Sequence, residues 1–332
     1  MTFLSNAPSF PLQSATDTAA DWHRDLIQRT ILVLGLPRSG TSWLAKIIDS
    51  HPDILYRHEP DEAAGVYPQP NAQLIAWLRQ NDLRTAGKRP WFHKSWRPWP
   101  LEMLWRGNAT ALAARQRFLH GQADRLPDLT TPWLRHRIRL AMKLVNWDAS
   151  ATLAALPHMR ALFILRHPCG QIASTRAGER TGRFNDGTLT QTALLAGRAY
   201  AARFGIDPPR WDRFPDWAQY AWAWRAFNEP VIETLRTLPN ARIVIYEDLC
   251  RNPEAICRDL FRFLDLPWHP QTEAFLQAST RHSGPSGYYD VFRSARLAAE
   301  RWRSTLAAAE QAAILGVVYA SPLASCWEDD GS

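Results

Sequence analysis

The segment Gly35-Leu36-Pro37-Arg38-Ser39-Gly40-Thr41-Ser42 sets two glycines with four residues between them and follows them with two hydroxyl side chains. This is the spacing of a Walker-type phosphate loop, but Thr41 stands where a nucleoside triphosphatase has lysine. In such a loop the backbone N–H groups cradle phosphates, the lysine reaches the β- and γ-phosphates, and the hydroxyl holds Mg²⁺. Without the lysine, a loop leading into a helix can still hold a phosphate. It is poorly equipped for a Mg²⁺-triphosphate, so the residues point to a nucleotide with a short phosphate chain. Arg38, Ser39, Thr41 and Ser42 favour an anion site. A tight turn with a good helix start is the competing reading of the same residues.

A second set follows the apolar run 161–165. Arg166 ends that run and Ser174 lies in the segment after it. A P-loop triphosphatase has a Mg²⁺-binding aspartate after such a strand; here the position carries a cation. An arginine at a strand end, with a serine one or two helical turns on, suits a second phosphate. The alternative is an arginine paired with a surface carboxylate.

These residues must be positioned by strands and helices. Short apolar runs at 30–34, 54–56, 141–145, 161–165 and 242–246 predict buried strands. Helices are expected at 40–50, 253–264 and 295–313. Another is expected over 216–235, where Trp217, Tyr220, Trp224, Phe227, Val231 and Leu235 recur at spacings of three and four, as core rather than a cofactor surface. Strands alternating with helices predict a three-layer α/β fold of P-loop type, with a central, mainly parallel sheet flanked by helices. Ligands bind beyond the carboxyl ends of such strands. Residues 1–20 read as a loose arm. Residues 21–332 read as one domain with a Trp-rich helical and loop insertion around 61–140, most conspicuous where Trp91, Trp96, Trp99 and Trp105 interleave with Lys88, Arg89, Lys94 and Arg97.

Composition narrows the classes. The chain has 332 residues, is 46% hydrophobic and carries a formal charge of +7 spread along its length. That suits anionic ligands but is too diffuse for a nucleic-acid surface. The 16 tryptophans fall mostly where helices are expected, so most should be core. Cys169, Cys250, Cys257 and Cys326 form no CxxC pair and have no histidine cluster at metal-ligand spacing. They read as free thiols in a reducing compartment. Residues 1–20 lack the pattern of a signal peptide, and no stretch reaches the roughly 18 apolar residues of a membrane span. A soluble cytoplasmic protein is expected.

Together the two motifs resemble those of sulfotransferases that use 3′-phosphoadenosine-5′-phosphosulfate (PAPS). Residues 35–44 resemble the family's 5′-phosphosulfate loop, and Arg166 to Ser174 its 3′-phosphate motif. Tyr246-Glu247-Asp248-Leu249, a helix, and Phe263-Leu264-Asp265-Leu266-Pro267 are also similar to the family, in its order. The motif spacing lies nearest to the tyrosylprotein and carbohydrate branch and its bacterial relatives. The resemblance implies that Pro37, Arg38, Ser39, Gly40, Thr41 and Ser42 hold the 5′-phosphosulfate. Arg166 and Ser174 would hold the 3′-phosphate, with Tyr246 near the adenosine. Arg293 is the expected late phosphate contact, because Arg281 to Gly287 only partly echoes the family's closing segment. Two departures stand out: Ser42 replaces a commoner threonine, and His167 stands where Asp or Asn is usual.

The implied chemistry is in-line displacement at sulfur, with no metal required, onto a hydroxyl, less readily an amine, of a small-molecule or glycan acceptor. Electrostatic stabilisation of the leaving phosphate and positioning should dominate. Glu59, after the run 54–56, matches the family's presumed base; the competing reading is a loop carboxylate that pairs with Arg57 or caps the next helix. His58 is the competing base, since an imidazole suits neutral pH. Lys143 matches a lysine that touches the bridging oxygen of the leaving group. In an apolar strand it needs a partner or an anion, or it snorkels to the surface. Arg38 would share the leaving charge. The acceptor is not legible, although segment 88–106 and Arg176, Arg180 and Arg183 are candidate acceptor walls. Two rivals remain: a P-loop phosphotransferase or nucleoside triphosphatase, and a non-catalytic nucleotide-binding protein on the same fold.

Overall fold

The structure is a computed structural model and describes residues 25–51, 53–63, 139–145, 148–182, 188–281 and 295–327. The loose arm, most of the Trp-rich insertion, Arg183 and Arg293 lie outside the described residues.

Five strands form one parallel sheet: β1 Ile31–Leu34, β2 Ile54–His58, β3 Arg139–Lys143, β4 Arg160–Leu165 and β5 Ala241–Ile245. Their order is β2-β3-β1-β4-β5. Alternation along the strands sorts their side chains into two layers. Leu32, Leu34, Leu140, Met142, Phe163 and Leu165 face the helices Pro168–Arg180, Asp216–Arg236 and Ala308–Val318. Ile31, Val33, Ala141, Leu162, Ile164 and Val244 face the helices Thr41–Asp49, Tyr246–Arg251, Pro253–Phe263 and Pro270–Arg281. With both faces covered, the central strands are continuously apolar, which is why short unalternating runs marked them. Each such leucine or isoleucine contributes about 1.5–3 kcal/mol by leaving water. The expected three-layer P-loop-type architecture is the observed one.

Boundaries differ where polar groups serve the carboxyl edge. Strand β2 runs on to His58, because Arg57 pairs in register with Met142 and His58 with Lys143. Strand β3 starts two residues earlier than its apolar run and stops at Lys143. Strand β5 stops at Ile245, and Tyr246 opens a helix instead of closing the strand. The single helix expected over 295–313 is three pieces, Ala295–Glu300, Trp302–Thr305 and Ala308–Val318. Leu306 is extended and buried, and the Glu310 carboxylate accepts the Ala307 N–H to start a new helix. Helix propensity carries no sign of that internal cap.

The helix Asp216–Arg236 buries Tyr220, Trp224, Val231 and Leu235, as its periodicity predicts, and Trp222 besides, while Trp217 and Phe227 are only half-buried. It also buries Arg225, whose guanidinium pairs with Glu229 and donates to the carbonyls of Val317 (3.1 Å) and Ala320 (3.4 Å). That ties the last helix to the body. A helix not anticipated from the sequence, Thr188–Ala202, packs against it. They come close at Gly197, where a Cβ would lie 2.7 Å from the Ala223 nitrogen. Gly197→Ala should therefore destabilise the protein by about 1–3 kcal/mol through overpacking, although alanine is the better helix former. A thermal or urea melt checks the sign; an unchanged or raised midpoint would mean that the helices part without cost.

Candidate active site

The strand ends gather at one edge of the sheet. The loop from Gly35 to Gly40 leaves β1, and its bends exclude side chains. Gly35 (φ +145°) would place a Cβ 2.7 Å from the Ile164 carbonyl oxygen, and Gly40 (φ +101°) would place one 2.6 Å from the Tyr246 ring. Both backbone conformations favour glycine. Arg38, between them, also takes a left-handed conformation (φ +70°). Ser39 and Thr41 are buried. The loop glycines are thus required by contact with β4 and with Tyr246, and the helix Thr41–Asp49 begins immediately after them.

The Arg166–Ser174 motif meets this loop directly. Leu165 and Ile245 are register partners on adjacent strands, so the residues after them, Arg166 and Tyr246, emerge side by side. The guanidinium lies 4.5 Å from the ring centroid, a cation–π contact. Its terminal nitrogens donate to the carbonyls of Arg38 and Ala298, both at 3.0 Å. Its Nε is buried and has no hydrogen-bond partner among the described residues. One helical turn on, Gln171 donates to the Pro37 carbonyl (2.9 Å), and Ser174 Oγ accepts from Arg38 Nε (3.1 Å). The two motifs therefore form one cationic corner. Tyr246 is buried as a wedge between loop and guanidinium.

His167 departs from the Asp or Asn usual beside this arginine, and the structure gives the reason. Its Nδ1 accepts the Cys169 N–H (3.2 Å), so it caps the helix Pro168–Arg180 as Asp or Asn would. Its ring stacks on Trp302 at 4.4 Å. Its own N–H donates to Glu247, which also receives Trp327 Nε1–H. Burial pushes the Glu247 carboxyl above the usual carboxylate range.

Across the loop, Glu59 and Lys143 face each other. His58 and Lys143 are register partners, and Lys143 also neighbours Val33 of β1. Lys143 Nζ donates to Glu59 Oε1. The Glu59 backbone is left-handed (φ +50°), and its N–H donates to the Lys143 carbonyl at 2.8 Å. Two residues on, the buried Asp61 carboxylate accepts the Val145 N–H with both oxygens, at 3.1 and 3.0 Å. The segment 59–61 thus pins the end of β3 where Lys143 sits. Asp61 was not picked out in the sequence; an acid two residues after Glu59, at a Pro-led helix start, was the available signal.

Lys143 thus has a carboxylate partner rather than reaching for solvent, and Glu59 pairs with Lys143. Arg176, a candidate acceptor wall, contacts Glu179, Asp216 and Tyr220. All four cysteines are free thiols, and burial raises those of Cys169 and Cys257 to about 12. No helix among the described residues is long and apolar enough to cross a membrane.

Fold and site together define a three-layer α/β protein with a phosphate-type loop and a cationic corner at the carboxyl edge of its sheet. Residues 30–270 match the model of the sulfotransferase family, and the chain belongs to that family. It is 36% identical over 69 residues to mouse carbohydrate sulfotransferase 5, covering 20% of this chain and 18% of that protein. It is 36% identical over 66 residues to human carbohydrate sulfotransferase 3, covering 19% of this chain and 14% of that protein. The chain thus matches less than a fifth of the length of these curated relatives. Among solved structures, mouse sulfotransferase SULT7A1 complexed with PAP aligns over 92% of this chain and 89% of its own, with 13% identity and a TM-score of 0.44.

Burial, with Arg303 and Arg166 nearby, lowers the pKa of His167 from 6.5 to about 3. The unfolded chain takes up a proton there near pH 6.5, and the folded protein does so only near pH 3. The neutral ring therefore contributes its full stabilisation above pH 6.5, and this is lost as pH falls through the window towards 3. His167→Asn keeps an acceptor for Cys169 but cannot titrate. Denaturant titrations across that window should show a shallower fall in stability for the variant; an equal slope would show that His167 is not held neutral.

Proposed function

We propose that the protein transfers the sulfuryl group of PAPS to a hydroxyl of a small-molecule or glycan acceptor by in-line displacement, releasing adenosine 3′,5′-bisphosphate. The observation that carries this reading is the hydrogen bond from Arg38 to Ser174, which joins the loop to the Arg166 motif. A donor with a 5′-phosphate and a separate 3′-phosphate needs two adjoining anion sites and no lysine at position 41. The buried Arg166 Nε, without a partner among the described residues, is consistent with a site still short of an acceptor.

The donor supplies an electrophilic sulfur joined to a phosphate leaving group. On this reading the loop amides, Thr41 and Ser42 hold the 5′-phosphate, and Arg166 and Ser174 hold the 3′-phosphate. Arg38 stands between them. Glu59 takes the acceptor's proton while the acceptor oxygen bonds to sulfur. The bond from sulfur to the phosphate oxygen breaks, and its electron pair leaves with the phosphate. Lys143 Nζ donates to Glu59 Oε1, and on this reading the proton goes to that oxygen. As negative charge grows on the leaving phosphate, the ammonium gains a competing partner and Oε1 is released. The pairing thus couples leaving-group stabilisation to base availability, without a metal ion. The two carbohydrate sulfotransferase relatives put sugar hydroxyls first among acceptors to screen.

Adenosine 3′,5′-bisphosphate should raise the melting temperature, whereas ATP with Mg²⁺ should not; stabilisation by the latter alone would favour a triphosphatase and end this reading. In a ³⁵S-PAPS assay over sugar, lipid, phenol and peptide acceptors, Glu59→Gln should bind the bisphosphate normally. Its transfer should be about 10²–10⁴-fold slower. Near-wild-type turnover would remove Glu59 as the base.

A further inference from the structure

Strand β2 presents a row of polar groups that ends at Glu59. Tyr56 and His58 are two residues apart, hence on one face of the strand. Tyr56 Oη lies 2.9 Å from His58 Nδ1, with the rings edge-on. His58 Nε2 lies 3.5 Å from Glu59 Oε2, while Lys143 takes the other oxygen, Oε1. The Glu59 backbone is left-handed (φ +50°) where its carboxylate meets both groups. Such a conformation is uncommon for a residue other than glycine, and it persists only where the surroundings impose it.

Hydrogen-bond chemistry assigns the protons. An ionised carboxylate only accepts, so the ring nitrogen facing Glu59 must be the one that carries hydrogen. In the neutral ring that leaves Nδ1 bare, so that Tyr56 is the donor to it. The phenol is suited to this: burial, with Asp49 and Glu59 nearby, holds its pKa well above the ordinary value, so it keeps its proton. Among the described residues, the charged groups that face this row include Glu59 at the strand's own end, Lys143 from β3, and Asp49 from the helix after the loop.

We propose that Tyr56 and His58 are positioning residues for Glu59: the phenol fixes the imidazole in its Nε2–H form, and the imidazole holds Oε2 so that Oε1 faces the acceptor when Lys143 turns away. The proposal rests on the reading of Glu59 as the base. It also removes His58 as a rival base, because its bare nitrogen faces Tyr56 rather than the site. Without this row, the departure of Lys143 would leave Glu59 with one fewer contact to orient it at the moment of proton transfer.

The test begins on the full chain without ligand, labelled with ¹⁵N-histidine. Long-range ¹H–¹⁵N spectra report the tautomer of each ring, and the His58 signals are those lost in His58→Phe. Near neutral pH, His58 should be protonated at Nε2 alone, and in Tyr56→Phe it should become a mixture of tautomers. Protonation at Nδ1, or a tautomer indifferent to Tyr56→Phe, overturns the proposal. The second arm uses PAPS with 4-nitrophenyl N-acetylglucosaminide. Tyr56→Phe should lower kcat about tenfold, a part of the base's contribution, with bisphosphate affinity unchanged. In a Glu59→Gln background it should cause no further loss; an equal loss there would show that Tyr56 acts elsewhere and would also overturn the proposal. Wild-type turnover by Glu59→Gln alone would instead sink the base reading, while the tautomer result would still report on the row itself.

Discussion

The loop between Gly35 and Gly40 has no room for side chains at its bends, and the carboxyl edge is organised around that restriction. One wall is the Ile164 carbonyl, part of the sheet itself. The other is the Tyr246 ring, itself pressed against the Arg166 guanidinium. Arg166 and Gln171 then hold the carbonyls of Arg38 and Pro37 from behind. A trans peptide points its N–H opposite to its C=O. A carbonyl held from one side therefore directs the following amide to the other. The second motif fixes the conformation of the first, so their spacing in sequence and their contact in space have one cause.

The same corner explains how the chain tolerates an unusual residue. Histidine at 167 can cap the helix Pro168–Arg180 only through a ring nitrogen that has given up its proton. Burial against Trp302 and the nearby arginines keep it in that state. Glu247 collects the neighbouring N–H groups of His167 and Trp327. The late segments of the chain are thereby attached to the loop's support. Trp302 and Trp327, unremarkable in the sequence beside so many other tryptophans, are parts of the site's scaffold.

On the other side of the loop, one acid and one base face each other on neighbouring strand ends. Their register, His58 opposite Lys143, is a consequence of parallel pairing in the core. Asp61 fixes the turn that follows. The resulting edge carries Arg38, Arg166 and Lys143 around a single loop, with Glu59 as the partner of Lys143. On the proposed reading, that edge holds the anionic donor and the proton acceptor in one place.

The sequence by itself determined where the sheet's strands lie and where the glycine loop bends; that the Arg166 motif serves the same site was implied only by the resemblance, and their contact belongs to the tertiary structure. Buried parallel strands must be continuously apolar, and a phosphate loop must have glycine where it bends, so both leave marks in residue type. Which polar residues meet was decided only by the tertiary structure. The full length of β2, the helix at Tyr246, the breaks in 295–313 and the helix Thr188–Ala202 depend on contacts with residues distant in the chain. The pairing of Lys143 with Glu59, the contacts of Arg176 and the row from Tyr56 to Glu59 depend on register and on one left-handed residue. Hydrophobic pattern reports whether a position faces the core; it does not report which neighbour completes a buried polar group.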